Sequence, residues 1–273
     1  ADERISESSI PMIANAVALS ENIAVNCKVS SENKVTGTPS FMKYFRLFKN
    51  SHNLFFEGKV HEQIEKSLIE NNYKLIESEI EIIHLGYNVD DQVIEGKAKR
   101  NLELLLNDYS QKPTSYKAFQ IGQTYIFLNN MAEAVKYFDL IKDNNDLLIQ
   151  YRAHSYRYLA AFYLTNGDAT KASILAEKGL SLVKESPLLN IVAANAFTQL
   201  EIFEKAKFYC LEAYKNNSEL VNGTLKSPFD ITVQESNILM YGINVAMIIA
   251  DKEMFDFFHP KLSRKKLCGL VRQ

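Results

Sequence analysis

The sequence predicts a mostly helical chain of two differently written parts, an α+β part over residues 1–112 and an all-α repeat over residues 113–273. Three observations predict this. Short apolar/polar alternations, the period of a half-buried strand, are confined to the first part. Helical periodicity runs through nearly all of the second. Within the second part, one pattern of small and aromatic residues recurs at an almost constant interval, which is how stacked helix pairs are written.

Taken in order, Ser6-Glu7-Ser8-Ser9-Ile10-Pro11 reads as a helix start, with serines able to cap and Pro11 suited to the first turn. Met12 to Leu19 carries the apolar face of that helix. Ile23 to Val29 alternates like a strand, Lys34 to Pro39 is turn chemistry, and Phe41 to Phe48 reads as a second strand with Arg46 between apolar neighbours. Lys74 to His84 alternates best of all, with Leu75, Glu77, Glu79 and Glu81 set against Ile76, Ile80 and Ile82. Asp90 to Tyr109 is a helix, with Leu102, Leu105 and Leu106 at its apolar end.

In the second part, Gly122, Tyr125, Ala134 and Phe138 set a frame that returns as Ala160, Tyr163, Ala172, Ala176 and again as Ala194, Phe197, Ala206, Cys210. Ala134, Ala172 and Ala206 are separated by 38 and 34 residues. The second interval matches the period of about 34 of a tetratricopeptide repeat. Two antiparallel helices approach closely only where a side chain is small, and aromatics fill the space beside it. Asn129-Asn130, Asn166-Gly167-Asp168 and the polar break before Glu204 supply turns. Beyond Asn217 the frame weakens. Asn222 to Pro228 reads as a loop insertion, Ile231 to Ala250 with Lys252 to Phe258 as a diverged fourth pair that caps the stack, and Lys261 to Gln273 as a basic, solvated tail.

Composition bounds the function classes. Apolar residues are 47% and charged residues 23%, a globular balance with enough chain to bury a core. Thirty-one Lys and Arg against 33 Asp and Glu give a net charge of -2, which argues against a nucleic-acid coat or a polybasic membrane surface. The longest apolar run, Ile238 to Ala250, is broken by Gly242 and Asn244 and is too short to span a membrane. Cys27, Cys210 and Cys268 lie far apart with no CxxC, so a reduced, cytoplasmic setting is expected. The chain opens Ala1-Asp2-Glu3 without a Met and reads as a portion of something longer.

Candidate chemistry falls in the first part, because repeats of this kind generally bind rather than catalyse. Asp2 and Glu3 are carboxylates able to hold a hard divalent cation, or else a charged surface. His61 and Glu62 can serve as a metal ligand beside a general base; the alternative is an exposed polar pair. His84 closes the best strand and can ligate a metal, or act as a hydrogen-bonded structural imidazole. Arg46, Lys97, Lys99 and Arg100 can neutralise phosphate oxygens, although such a run on a helix is more often a solvated face.

The ordered series Ala1-Asp2-Glu3, Phe45-Arg46-Leu47-Phe48, Phe56-Glu57-Gly58-Lys59-Val60-His61-Glu62, Ile83-His84-Leu85-Gly86-Tyr87 and Lys97-Ala98-Lys99-Arg100-Asn101-Leu102, followed by repeats, resembles the latter part of a bacterial family 2 glycosyltransferase of the repeat-bearing kind. The resemblance covers residues 1 to about 140 by motif and the rest by architecture. It implies that residues 1–112 are the C-terminal half of a GT-A catalytic domain. A nucleotide sugar would be the donor, with Mn or Mg as the divalent cation. Asp2 would hold that cation, and His84 and His61 would be further metal contacts. Glu62 would be the base that deprotonates a peptide or glycan acceptor, and Arg46 and Arg100 would face the phosphates. It further implies that the first Asp of the metal motif and the nucleotide-binding half precede Ala1, so the chain as given would transfer sugar poorly or not at all. The repeats would dock the acceptor or pair two copies, with Lys136, Tyr137, Arg152, Tyr156 and Arg157 on or near a groove. The competing expectation is a non-catalytic tetratricopeptide module that binds proteins.

Overall fold

The computed structural model describes residues 3–19, 22–32, 39–58, 60, 62, 64–84, 91–225 and 232–270. The chain divides into two compact units, Ala1–Gln111 and Lys112–Gln273.

The first unit is built on a four-stranded sheet. Its strands are β1 (Glu3–Ile5), β2 (Ile23–Glu32), β3 (Pro39–Phe48) and β4 (Lys74–His84), in the order β1-β4-β2-β3. β2 and β4 run parallel, and the other two pairs are antiparallel. The alternation read from the sequence divides β2 between two cores. Ile23, Val25 and Cys27 pack with Ile80 against Ile13 and Ala16 of helix α1 (Ile10–Val17). Ala24 packs with Ile64, Leu68 and Tyr73 around helix α2 (Glu65–Glu70), joined by Phe45, Phe48 and Leu54. Helices therefore cover both faces of the sheet.

β1 and α2 escape a periodicity reading because they are too short to show one. The serine run also acts differently from a cap. Ser9 stands before α1, yet makes no side-chain cap bond; its hydroxyl is buried and accepts from the Glu81 N–H at 2.8 Å, while the Ser6 N–H donates to the Glu81 carbonyl at 3.1 Å. The run pins the entry of α1 to β4, beside the stretch where β4 slips register with β2. Helix α3 (Asp91–Gln111) completes this unit.

The second unit is four helix pairs: α4 (Ser115–Phe127) with α5 (Met131–Ile141), α6 (Ile149–Thr165) with α7 (Ala169–Leu182), α8 (Pro187–Gln199) with α9 (Phe203–Val221), and α10 (Glu235–Ile248) with α11 (Lys252–Leu270). Each pair is joined by the same turn. Asn129, Gly167, Glu201 and Ala250 take φ between 55° and 83°. The next residue donates its N–H back five positions, from Asn130 to Tyr125, Asp168 to Tyr163, Ile202 to Phe197 and Asp251 to Ala246, at 2.8 to 2.9 Å. That is a Schellman ending used four times. Asn130, Asp168 and Asp251 then cap the following helix with their side chains, whereas Ile202 has no oxygen to do so.

The small-residue frame is the packing rule of these pairs. Gly122 on α4 lies under the Phe138 ring of α5, and Gly242 on α10 lies under the Phe258 ring of α11; an added Cβ would sit 2.8 Å and 2.6 Å from those rings. In the middle pairs the first helix carries Ala160 or Ala194, and its partner carries the smaller Ala176 or Cys210. A methyl on one helix is thus balanced by a smaller side chain on the other. The expected fourth pair is real and follows the same frame, with Met254 where the others have Ala134, Ala172 and Ala206.

Aromatic contacts connect neighbours. Tyr125 stacks on Tyr137 and Phe197 on Tyr209, while Phe138 stacks on Tyr158 of the next pair at 4.7 Å. Ion pairs do the same on the long helix α9. Lys205 and the Tyr209 hydroxyl both reach Glu177, and Lys207 reaches Asp251 at 2.8 Å. The insertion before α10 is closed by buried Asn217, whose amide both donates to and accepts from the Val233 backbone.

Candidate functional site

In the second unit, the first helices of the pairs form one layer, with α8 touching both α6 and α10. Five residues after each small position of the frame, at the last turn of these helices, stand Phe127, Thr165, Gln199 and Met247. All four are exposed, Phe127 at 54% and Met247 at 57%. The row was legible in the repeat frame, but only once the exposed side of each helix was known.

The residues expected to line a groove are mostly employed within the fold. Arg152 donates to the Lys142 carbonyl and to Asn145 Oδ1, and the Tyr156 hydroxyl donates to Asp143, so both tie down the loop between α5 and α6. That bond holds the Asp143 carboxyl below its usual range, while burial, helped by Asp143, pushes the Tyr156 hydroxyl up to about 12. Lys136 pairs with Glu133, Tyr137 stacks on Tyr125, and the Arg157 guanidinium lies 4.0 Å above the Tyr158 ring. A cleft of about 420 Å³ opens instead between the C-terminal end of α7, the start of α8 and α9. Lys184, Glu185, Glu212, Lys215 and Phe208 line it, with the buried amides of Asn190 and Asn216 at its wall.

In the first unit, β1 lies antiparallel to β4 with Glu3 directly opposite His84. Arg46 Nη2 donates to Glu3 Oε1 at 3.2 Å, and the guanidinium also lies 5.4 Å from the Tyr44 ring centre. Glu3 is therefore a strand residue engaged with a cation rather than part of an acidic loop. Glu62 is exposed, between the buried Val60 and Ile64 and shortly after Gly58, which holds φ at 102°. Arg100 is exposed on α3, as are Lys97 and Lys99, and Lys99 pairs with Glu95 one turn away. Asp2 and His61 lie outside the described residues. Among the described residues, no group of three or more His, Cys, Asp or Glu side chains could hold a metal ion. No described helix is long and apolar enough to cross a membrane.

Four helix pairs with one turn, one close-packing frame and a shared layer of first helices define a tetratricopeptide-like helical-repeat unit, preceded by a small mixed sheet. No family model matches the chain, and no curated protein matches it. Among solved structures, it is similar to one described as the functional characterization of Pseudomonas aeruginosa pilF. The identity is 15% and the TM-score 0.49, over 63% of this chain and 71% of that one. It is also similar to a Podospora anserina putative kinesin light chain with nearly identical TPR-like repeats. Here the identity is 13% and the TM-score 0.48, over 65% of this chain and 90% of that one.

Proposed function

We propose that the second unit is a protein-binding module. The observation that carries this reading is the fourfold recurrence of one helix pair, which builds a continuous layer of first helices with side chains exposed in register. A stack of this kind is a scaffold whose long surface serves recognition. The test is titration calorimetry of the full chain against candidate polypeptides recovered by chemical crosslinking. Saturable one-to-one binding with crosslinks in residues 112–273 supports the module. Failure of every crosslinked candidate to bind in calorimetry sinks it.

A second reading, nucleotide-sugar transfer, is favoured by one particular feature of the first unit. The resemblance implies that Asp2 and His84 serve one cation, and the register of β1 on β4 sets Glu3, the residue after Asp2, opposite His84. On this reading Glu62 is the base acting on a peptide or glycan acceptor. Arg46, engaged with Glu3, acts by positioning that strand, and Arg100 stands apart on α3. Among the described residues no three His, Cys, Asp or Glu side chains converge to hold a Mn or Mg ion. The test uses a longer chain that includes whatever precedes Ala1. Glu62→Gln should abolish transfer from a nucleotide sugar while donor affinity changes little; full turnover by that variant removes the base from this role.

A further inference from the structure

Charge is divided unequally between the two helices of every pair. The first helices, α4, α6, α8 and α10, hold only Lys117, Arg152, Arg157 and Glu235 between them. All four of these are half-buried; Lys117, Arg152 and Glu235 lie in the N-terminal halves of their helices and Arg157 at the midpoint of α6. From there to each turn no charge occurs, and α8 has none anywhere. Burial alone does not explain this, because the exposed residues of these helices follow the same rule. They are Gln, Asn, Thr, Phe, Ile and Met, without one Asp, Glu, Lys or Arg. On the second helices, α5, α7, α9 and α11, about half of the exposed described residues are charged. A face in permanent contact with water gains solubility from charge and loses nothing by carrying it. A face that must shed its water for a partner is penalised for every charge left unpaired.

We propose that the exposed C-terminal halves of the first helices bind an uncharged, extended polypeptide segment, with Phe127 and Met247 supplying apolar contact and Gln123, Thr165 and Gln199 pairing with its backbone. This rests on the binding-module reading and names the chemistry of the partner. Charge complementarity selects that occupant. An acidic or basic segment would bring charges to helices whose exposed side chains carry none to answer them, whereas amides and hydroxyls satisfy peptide N–H and C=O groups without a desolvated ion. The cleft between α7 and α9, lined by Lys184, Lys215 and Glu212, has the opposite character and would suit a charged ligand.

The probe is a phage-displayed library of random peptides selected on the full chain. Enriched peptides should be poor in Asp, Glu, Lys and Arg. Their affinity should change less than twofold between about 0.1 and 0.5 M NaCl, because no ion pair is there to be screened. Thr165→Glu and Gln199→Glu, both at exposed positions, should each weaken a selected peptide at least tenfold, and Lys215→Glu in the cleft should leave it unchanged. Charged peptides whose binding fails in salt, or peptides lost with Lys215→Glu but retained with Thr165→Glu, would overturn the assignment while leaving a binding module in place. No enrichment at all would overturn both.

Discussion

Gly242 shows how much of this fold rests on single atoms. A Cβ there would stand 2.6 Å from the ring of Phe258, which is fully buried against α10. Neither helix can yield without opening the fourth pair. Gly242→Ala should cost roughly 1–3 kcal/mol. Phe258→Leu should recover part of that loss in the double variant, because the two sites share one volume. Urea unfolding of the four proteins checks this, and simple additivity would refute it. Ala194→Gly opposite Cys210 should bring no comparable relief. His154 makes a different point. It is buried among the Phe119 and Tyr158 rings, and burial, with Arg157 nearby, lowers its pKa from 6.5 to about 2. The neutral ring folds and the charged ring does not, so the stability it permits is present above pH 6.5 and is lost as pH falls below that. The contribution of this one group to stability should fall by up to about 1.4 kcal/mol per pH unit below 6. His154→Gln should flatten the profile between pH 6.5 and 5 in urea midpoints, and an unchanged slope would assign the loss to other groups.

At the scale of the element, the repeated turn makes the four pairs comparable position by position. Gly167 meets the positive φ without strain, while Asn129, Glu201 and Ala250 meet it at a cost. Gly167→Ala should therefore destabilise by about 1 kcal/mol. Ile202 sits where Asn130, Asp168 and Asp251 cap, and it is 44% exposed, so its side chain gives up little burial. Ile202→Asp should raise stability by about 1 kcal/mol and leave binding unaltered, which thermal melts and calorimetry read together. These elements also mark the limit of what the sequence conveys. Strands at Ile23, Phe41 and Lys74 and the helices of three pairs were legible because their apolar spacing persists over several turns or pleats. β1, with three residues, and α2, with six, are shorter than any window that reveals a period. The fourth pair was legible as two helices, but the insertion after α9 and Met254 in place of an alanine hid that it keeps the repeat frame, with Gly242 and Phe258 at the spacing of Gly122 and Phe138. The opposition of Glu3 and His84 depends on strand register across eighty residues, which local pattern does not encode. Arg152 and Tyr156 looked like groove residues because sequence shows polarity but not the loop carbonyl or carboxylate that consumes it.

Across the whole molecule, stability in the second unit should be local, because each helix pair touches only its neighbours. The third and fourth pairs are joined by Lys207, which reaches Asp251 and Glu253, and by the core of Cys210, Leu239, Ile243 and Phe258. The first and second pairs are joined by Phe138 on Tyr158 and by the anchored loop at Arg152 and Tyr156. A large cavity at Phe258 should therefore loosen α10 and α11, pass partly into α9, and fade before α6. Phe258→Ala removes a whole buried ring, a loss of about 3–5 kcal/mol where it acts. In native-state hydrogen exchange its amides in α10 and α11 should lose protection by two or more orders of magnitude, while those of α4 to α7 keep theirs. Uniform loss over all eight helices would show that the unit unfolds as one block and that the pairwise description fails. The outcome also bears on recognition. If the last pair can open by itself, Phe258→Ala should weaken a bound segment only through Met247 and spare the contacts at Phe127, Thr165 and Gln199, so affinity should fall without disappearing.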